Sequence, residues 1–357
     1  MGRVVAIQYL RAAAALAVMA FHYIAAARKD AGLESAALVN LGQFGVDIFF
    51  VVSGYIMWTT VAAAPSLRPG EFFLRRLIRI VPLYWAATLA TALATTEGGF
   101  ALGYRGDPGD LATSLLFIPA ASPGDPAIIA PILAVGWTLN LEMFFYAAFA
   151  ATLGRTRQLA ILGVLLGGLA LAGVALTLSG AGAPPMIAAY TQSIVVEFFF
   201  GAALGAWRLS RGSERGDPLG GSLMIALGLA AAAAAALAAG GLPYWRGFVW
   251  GPPAALIVLG ALSLEGLARR HPQRLAVLLG DASYALYLTH GMWLALATAL
   301  APAGAPVWMT AIFKIGGAIG LAIGVYLVFE RPAGRTLSRF FVSPAPKFGE
   351  PLLRAGV

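Results

Sequence analysis

Residues 7–27 read IQYLRAAAALAVMAFHYIAAA. At ~1.5 Å per residue the stretch is long enough to cross the ~30 Å hydrocarbon core of a bilayer as one helix. It carries two ionisable residues, Arg11 and His22. Charge at membrane depth is costly on any scale and marks function by default. Eleven steps of about 100° bring His22 within about 20° of Arg11, so both share one helix face, about 16 Å apart along the axis. An arginine toward one side and a histidine toward the other suggest an anionic partner and proton chemistry inside a membrane.

The whole chain agrees with that stretch. Of 357 residues, 60% are apolar and 11% charged, and the mean hydropathy is +0.81. A soluble domain carries about 25% charged residues. The expected class is therefore all-α, a polytopic integral membrane protein in contact with the lipid bilayer. Net charge is +8, from 24 Lys and Arg against 16 Asp and Glu. These cations sit in short connections between apolar stretches, which fits membrane topology and not nucleic acid. There is no Cys, which excludes disulfides, thiolate metal sites and a cysteine nucleophile. The three histidines, His22, His271 and His290, are too few to suggest a metal site. The first apolar stretch leads at once into a second, so it reads as a span and not as a cleavable signal peptide. The alanine runs at 12–15 and 230–236 reflect composition.

Ten spans are expected, near 5–26, 41–62, 75–96, 133–153, 158–179, 187–207, 221–240, 248–267, 281–301 and 308–329. Alternate connections are basic: Arg68, Arg75 and Arg76; Arg155 and Arg157; Arg208, Arg211 and Arg215; Arg269, Arg270 and Arg274; Arg331, Arg335, Arg339 and Lys347. The others are acidic or nearly uncharged, including SGAGAPP, GGLPYW and APAGAP. Arg28–Lys29 is the exception, partly offset by Asp30 and Glu34. The positive-inside rule then puts both termini in the cytoplasm. The connection at about 97–132 is long enough to be functional, and its LATSLLFIP segment suits a short interfacial helix. Residues after about 341 read as a polar tail. No transporter-type internal repeat is evident.

Orientation turns position into depth. Arg11 falls in the inner half of the first span and His22 near its outer end. Asp47 lies at a similar outer depth on the second span, so an Asp47–His22 pair is expected to fix the imidazole for general-base work. Arg76 and Arg79 are three apart on one helix face, and such a pair can grip a phosphate by fork geometry. Arg11 is able to join them in a cytoplasmic pocket. Glu142, in WTLNLEMFFY, sits near mid-membrane as a partner for buried arginines or a site carboxylate. Glu197 and Asp281 read as structural partners of the arginines. His290 is either catalytic support or a packing hydrogen bond. Ser53, in SGYIM, lacks a nucleophile-elbow context; with Tyr84, Asp281 and His290 it is a candidate for support.

IQYLRAAAALAVMAFHY, FGVDIFFVVSGYIM, FFLRRLIRIVPLYW, WTLNLEMFFY, GDASYALYLTH and FERP occur in that order between residues 7 and 332. Together they resemble the membrane-bound acyltransferase-3 family, especially its bacterial exopolysaccharide-acetylating branch. The resemblance implies an acyltransferase transmembrane domain over 1–340 and a short cytoplasmic tail over 341–357, in the bacterial inner membrane. It implies acetyl-CoA (acyl-CoA) as cytoplasmic donor and transfer to a hydroxyl of an exopolysaccharide or a lipid-linked oligosaccharide precursor at the outer side. It puts weight on Arg11 and His22, on Arg76 and Arg79, and on Glu142. The implied division of labour is a donor grip at Arg11, Arg76 and Arg79, with catalysis by His22 oriented by Asp47 or Glu142. A transporter or flippase is the competing class, and a non-catalytic membrane component of a polysaccharide assembly complex a third.

Overall fold

The computed structural model describes residues 4–30, 32, 37–94, 104–211, 216–238, 245–302 and 304–342. The expectations on Glu34, Arg215, Lys347 and the tail from residue 343 lie outside them. Among the described residues the chain is helical, with one isolated β-bridge between Ala121 and Ile129.

The first five helices are α1 (Val5–Asp30), α2 (Ala37–Asn40), α3 (Phe44–Ala62), α4 (Pro69–Leu93) and α5 (Pro108–Leu115). Next come α6 (Trp137–Thr152), α7 (Gln158–Leu178), α8 (Pro185–Tyr190), α9 (Val196–Arg211), α10 (Pro218–Ala238) and α11 (Arg246–Ser263). The last are α12 (Glu265–Arg270), α13 (Arg274–Asp281), α14 (Ser283–Leu300), α15 (Val307–Val325) and α16 (Arg331–Phe341). Seven helical stretches among the described residues are long and apolar enough to cross a membrane, those of α1, α3, α7, α9, α10, α11 and α15.

The expected third, fourth and ninth spans fall on α4, α6 and α14. These three are less apolar or shorter than the others, and two of them hold clusters of polar groups. The first three turns of α4 hold Glu71, Arg75, Arg76 and Arg79. α6 has 16 residues, and α14 holds Tyr284, Tyr287, Thr289 and His290. The helix of the tenth expected span does not end near residue 329. α15 continues through a π-turn at Tyr326–Glu330 into α16.

α3 is the central helix, packed against α1, α9 and α11. Its crossing with α9 is closed by small residues. A Cβ on Gly54 would sit 2.1 Å from the Phe198 carbonyl oxygen, and one on Gly201 would sit 1.9 Å from that of Val51. Aromatic rings fill the space beside this crossing, with Phe198 stacked on Phe50 and Phe145 at 4.5 and 4.2 Å. The rim is apolar and uncovered. Val164 on α7 and Ile312 on α15 are 77% and 66% exposed, as suits a surface wetted by lipid tails.

Two devices fix the ends of the functional helices. The Glu265 carboxylate accepts from the backbone N–H groups of Val5 (3.1 Å) and Ala6 (2.8 Å), satisfying the free donors at the start of α1. The long connection after α4 is pinned back onto it. Tyr84 donates to the Ser114 carbonyl (2.9 Å), Trp85 to that of Leu115 (2.9 Å), and Asp107 caps α5 through the Gly109 N–H. The interfacial helix expected at LATSLLFIP is thus α5, beginning three residues earlier, at Pro108.

Candidate active site

Four cavities follow one another through the bundle. At the His22 end of α1 lies a cavity of about 600 Å³, lined by His22, Gln43, Trp137, Gln192, Arg246 and Tyr287 among others. The loop segment Ala127–Ala130 covers it. Toward the Arg11 end lies a chamber of about 290 Å³, lined by Arg11, Ser53, Arg76, Arg79, Glu142 and Tyr146 among others. Val46 and Tyr287 line both, so the two spaces meet there. Tyr287 stands at the partition, with its hydroxyl 3.0 Å from Thr138 Oγ1 and donating to the Val135 carbonyl at 3.2 Å. Two further cavities, of about 430 and 540 Å³, share Arg79 with the chamber.

His22 is held by hydrogen bonds that decide its tautomer. His290 Nδ1 lies 2.9 Å from the Leu286 carbonyl. A carbonyl only accepts, so that nitrogen carries hydrogen and, in the neutral ring, His290 Nε2 offers a lone pair. His22 Nδ1 is 3.1 Å from that Nε2 and 3.0 Å from the Val18 carbonyl. Both neighbours accept, so His22 Nδ1 is the protonated nitrogen and its Nε2 keeps the lone pair. That is the form a general base needs.

The expected Asp47–His22 pair is not what the structure holds. Asp47, 0% exposed, forms a two-pronged ion pair with Arg246, Nη2 to Oδ2 at 2.8 Å and Nε to Oδ1 at 3.0 Å. Arg246 also donates to the Gln43 carbonyl at 2.9 Å. A guanidinium gives a buried carboxylate a charge and a matching fork, and a neutral imidazole gives it neither. Glu142 does not orient His22 either; it lies in the other chamber. It accepts from Ser53 at 3.0 Å and from Tyr146, and Arg76 and Arg11 act on it electrostatically. The partner of His22 is the second histidine, His290, which is 1% exposed.

The expected arginine cluster does assemble. Arg11, Arg76 and Arg79 line one chamber although they come from two helices. Arg76 is packed over the rings of Phe72 and Tyr146, at 5.5 and 6.0 Å, and its Nε–H is buried without a partner. The Ser283 hydroxyl, lining the same chamber, is likewise buried and unpartnered. Arg11 holds Gln8 at 3.3 Å. Asp281 lines the cavity just below, with Arg11. Tyr84 is buried, lines none of the four cavities and serves the loop.

Sequence reading missed Arg246. A cation directly after GGLPYW, at the end of a span where the other connections are uncharged, is the signal that was there to find. It also missed the His22–His290 contact, because nothing local ties residues 268 positions apart.

Comparison with known proteins joins this site to a family. The acyltransferase-3 family, described as an acyltransferase domain, matches residues 4–328. The chain is 38% identical over 302 residues to the exopolysaccharide production protein ExoZ of Rhizobium meliloti (strain 1021), covering 82% of this chain and 90% of that one. It is 31% identical over 148 residues to the acyltransferase MdmB of Streptomyces mycarofaciens, covering 39% of this chain and 36% of that one. No solved structure matches. A multi-pass helical bundle with paired histidines and an arginine-lined chamber inside it, matched over residues 4–328, belongs to the acyltransferase-3 family.

Proposed function

We propose that the protein is an inner-membrane O-acyltransferase that carries an acetyl group from cytoplasmic acetyl-CoA to a hydroxyl of an exopolysaccharide or its lipid-linked precursor at the outer side. The observation that carries this reading is the junction at Val46 and Tyr287, where an arginine-lined chamber meets a cavity holding a histidine with a free Nε2. Family membership supports acyl transfer, and the name of the Rhizobium meliloti relative supports an exopolysaccharide acceptor. In this reading the chain crosses ten times with both termini in the cytoplasm, α4, α6 and α14 supplying the three polar crossings.

The donor enters from the Arg11 end. Its phosphates meet Arg79 and Arg11, and the buried Nε–H of Arg76 and hydroxyl of Ser283 are available to the polar groups of the pantetheine arm. The ~16 Å from Arg11 to His22 along α1 is a span such an arm covers. The thioester then lies at the Tyr287 partition. His22 Nε2 takes the proton of the acceptor hydroxyl as its oxygen attacks the thioester carbonyl carbon. The tetrahedral adduct collapses by breaking the C–S bond, and the proton on Nε2 passes to the departing thiolate. Atoms balance without a covalent enzyme intermediate. Glu142, bound to Ser53 and Tyr146, offsets the arginines of the chamber and takes no proton from the acceptor in this scheme.

Purified protein, labelled acetyl-CoA and a glycan acceptor test the reading. Label is expected to appear on the glycan, and His22→Ala is expected to abolish transfer while thermal unfolding in detergent is unchanged. A general base contributes ~10²–10⁴-fold, so full activity in His22→Ala would remove the mechanism. Movement of glycan across vesicles with no acetyl transfer would put the protein among transporters.

A further inference from the structure

α15, the π-turn and α16 make one helical stretch of 35 residues, Val307–Phe341. At ~1.5 Å per residue that is ~52 Å, roughly 20 Å more than the hydrocarbon core needs. The excess lies at the C-terminal end, where the sequence changes to RPAGRTLSRFF. Arg331, Arg335 and Arg339 recur every fourth residue and so line one face. α16 packs against α4, whose Arg75 and Arg79 form a second row at the same spacing. The two rows line one cavity of about 540 Å³ together with Ser338 and Glu330.

A row of arginines at a membrane surface is ordinarily a topology signal. Two observations separate this row from an anchor. It faces a cavity that it shares with α4, and that cavity adjoins the chamber through shared walls. Arg79, Tyr326, Arg331 and Arg335 line both this cavity and its neighbour of about 430 Å³, and Gln8, Arg11 and Arg79 line both that neighbour and the chamber. The protein also does not fully neutralise the row. Five guanidiniums line the larger cavity against Glu330, and the adjoining cavity, which shares Arg79, Arg331 and Arg335, adds Asp281. Glu71 is engaged with Arg75 at 2.5 Å. Among the described residues Arg331, Arg335 and Arg339 form no ion pair. Paired rows of planar forks with an excess of positive charge recognise a phosphate dianion.

We propose that α16 is a phosphate clamp on the donor, holding the 3′-phosphate of the nucleotide end of coenzyme A between Arg331, Arg335 and Arg339 on one side and the start of α4 on the other. This rests on the reading that the donor is an acyl-CoA. The order of cavities then matches the order of the donor's parts: thioester at Tyr287, arm in the chamber, diphosphate at Arg11 and Arg79, nucleotide at α16. The clamp makes the protein discriminate acyl-CoA from donors that share the arm and lack the terminal phosphate.

The test measures binding of acetyl-CoA and of acetyl-dephospho-CoA, which lacks the 3′-phosphate, to the full chain in nanodiscs. One set of discs is pure phosphatidylcholine and another contains phosphatidylglycerol. Wild type is expected to bind acetyl-CoA at least ~10-fold more tightly than the dephospho form in neutral discs. Arg335→Ala/Arg339→Ala is expected to lose that preference, and Arg335→Lys/Arg339→Lys to keep part of it, with thermal unfolding unchanged in both. A preference that survives the alanine pair overturns the clamp while leaving acyl-CoA as donor. So does an effect of the pair that appears only as weaker association with phosphatidylglycerol, which would assign the row to lipid headgroups. If wild type binds neither donor, the acyl-CoA reading itself falls and the clamp with it.

Discussion

At the scale of residues, two side chains change meaning between sequence and structure. His290 is legible in GDASYALYLTH only as an ionisable group at depth; in the fold it accepts from His22 Nδ1–H at 3.1 Å and keeps Nε2 of His22 free. His290→Ala is therefore expected to lower kcat by about 10-fold, less than the ~10²–10⁴-fold that loss of the base itself costs. The donor affinity should stay unchanged. Gln at 290 presents an oxygen that can accept the same proton, so His290→Gln should recover part of the rate; equal rates for the two variants would deny the positioning role. Asp47 has the opposite history. Its depth beside His22 suggests catalysis, and in the fold its partner is Arg246. Asp47→Ala leaves Arg246 its Gln43 contacts but takes away its carboxylate, and breaking a buried pair of this kind costs up to about 3–5 kcal/mol. Thermal unfolding in detergent should show the loss, and Asp47→Ala/Arg246→Met should recover much of it. An Asp47→Ala protein that melts normally but transfers nothing would restore the carboxylate to catalysis.

At the scale of elements, the α3–α9 crossing sets how closely the two sides of the site can approach. Ser53, which holds Glu142, lies one residue before Gly54 on α3. With backbone carbonyls as close as 1.9 Å to an added Cβ at Gly201, even alanine must push the helices apart. Overpacking of this kind costs about 1–3 kcal/mol. Gly201→Ala should thus lower the unfolding temperature and also the activity, whereas Gly167→Ala on α7, where a Cβ meets nothing within 4 Å, should change neither. Helix positions were readable from apolar length alone. Helix ends were not: α15 runs past the expected interface into α16, because a continuous helix satisfies its own backbone wherever its surroundings change.

At the scale of the whole molecule, the proposed mechanism brings donor and acceptor to His22 from opposite ends of a row of cavities. Sealed vesicles of known orientation should transfer acetyl groups when acetyl-CoA is present only on the side of α16 and the glycan only on the side of the α4–α6 connection. Transfer with both substrates confined to one side would contradict the through-bundle route. The sequence by itself determined the all-helical membrane class, the helices' approximate positions, the family motifs and which ionisable residues fall inside apolar segments. Those follow from local facts, since hydropathy over about 20 residues and spacing along one helix require no partner. Only the tertiary structure decided the pairings: His22 with His290 and not Asp47, Asp47 with Arg246, and α16 beside α4. Each joins residues far apart in the chain, and depth along a span fixes height but not the direction a side chain faces. That direction is set by which helices pack together, and packing is a property of the bundle.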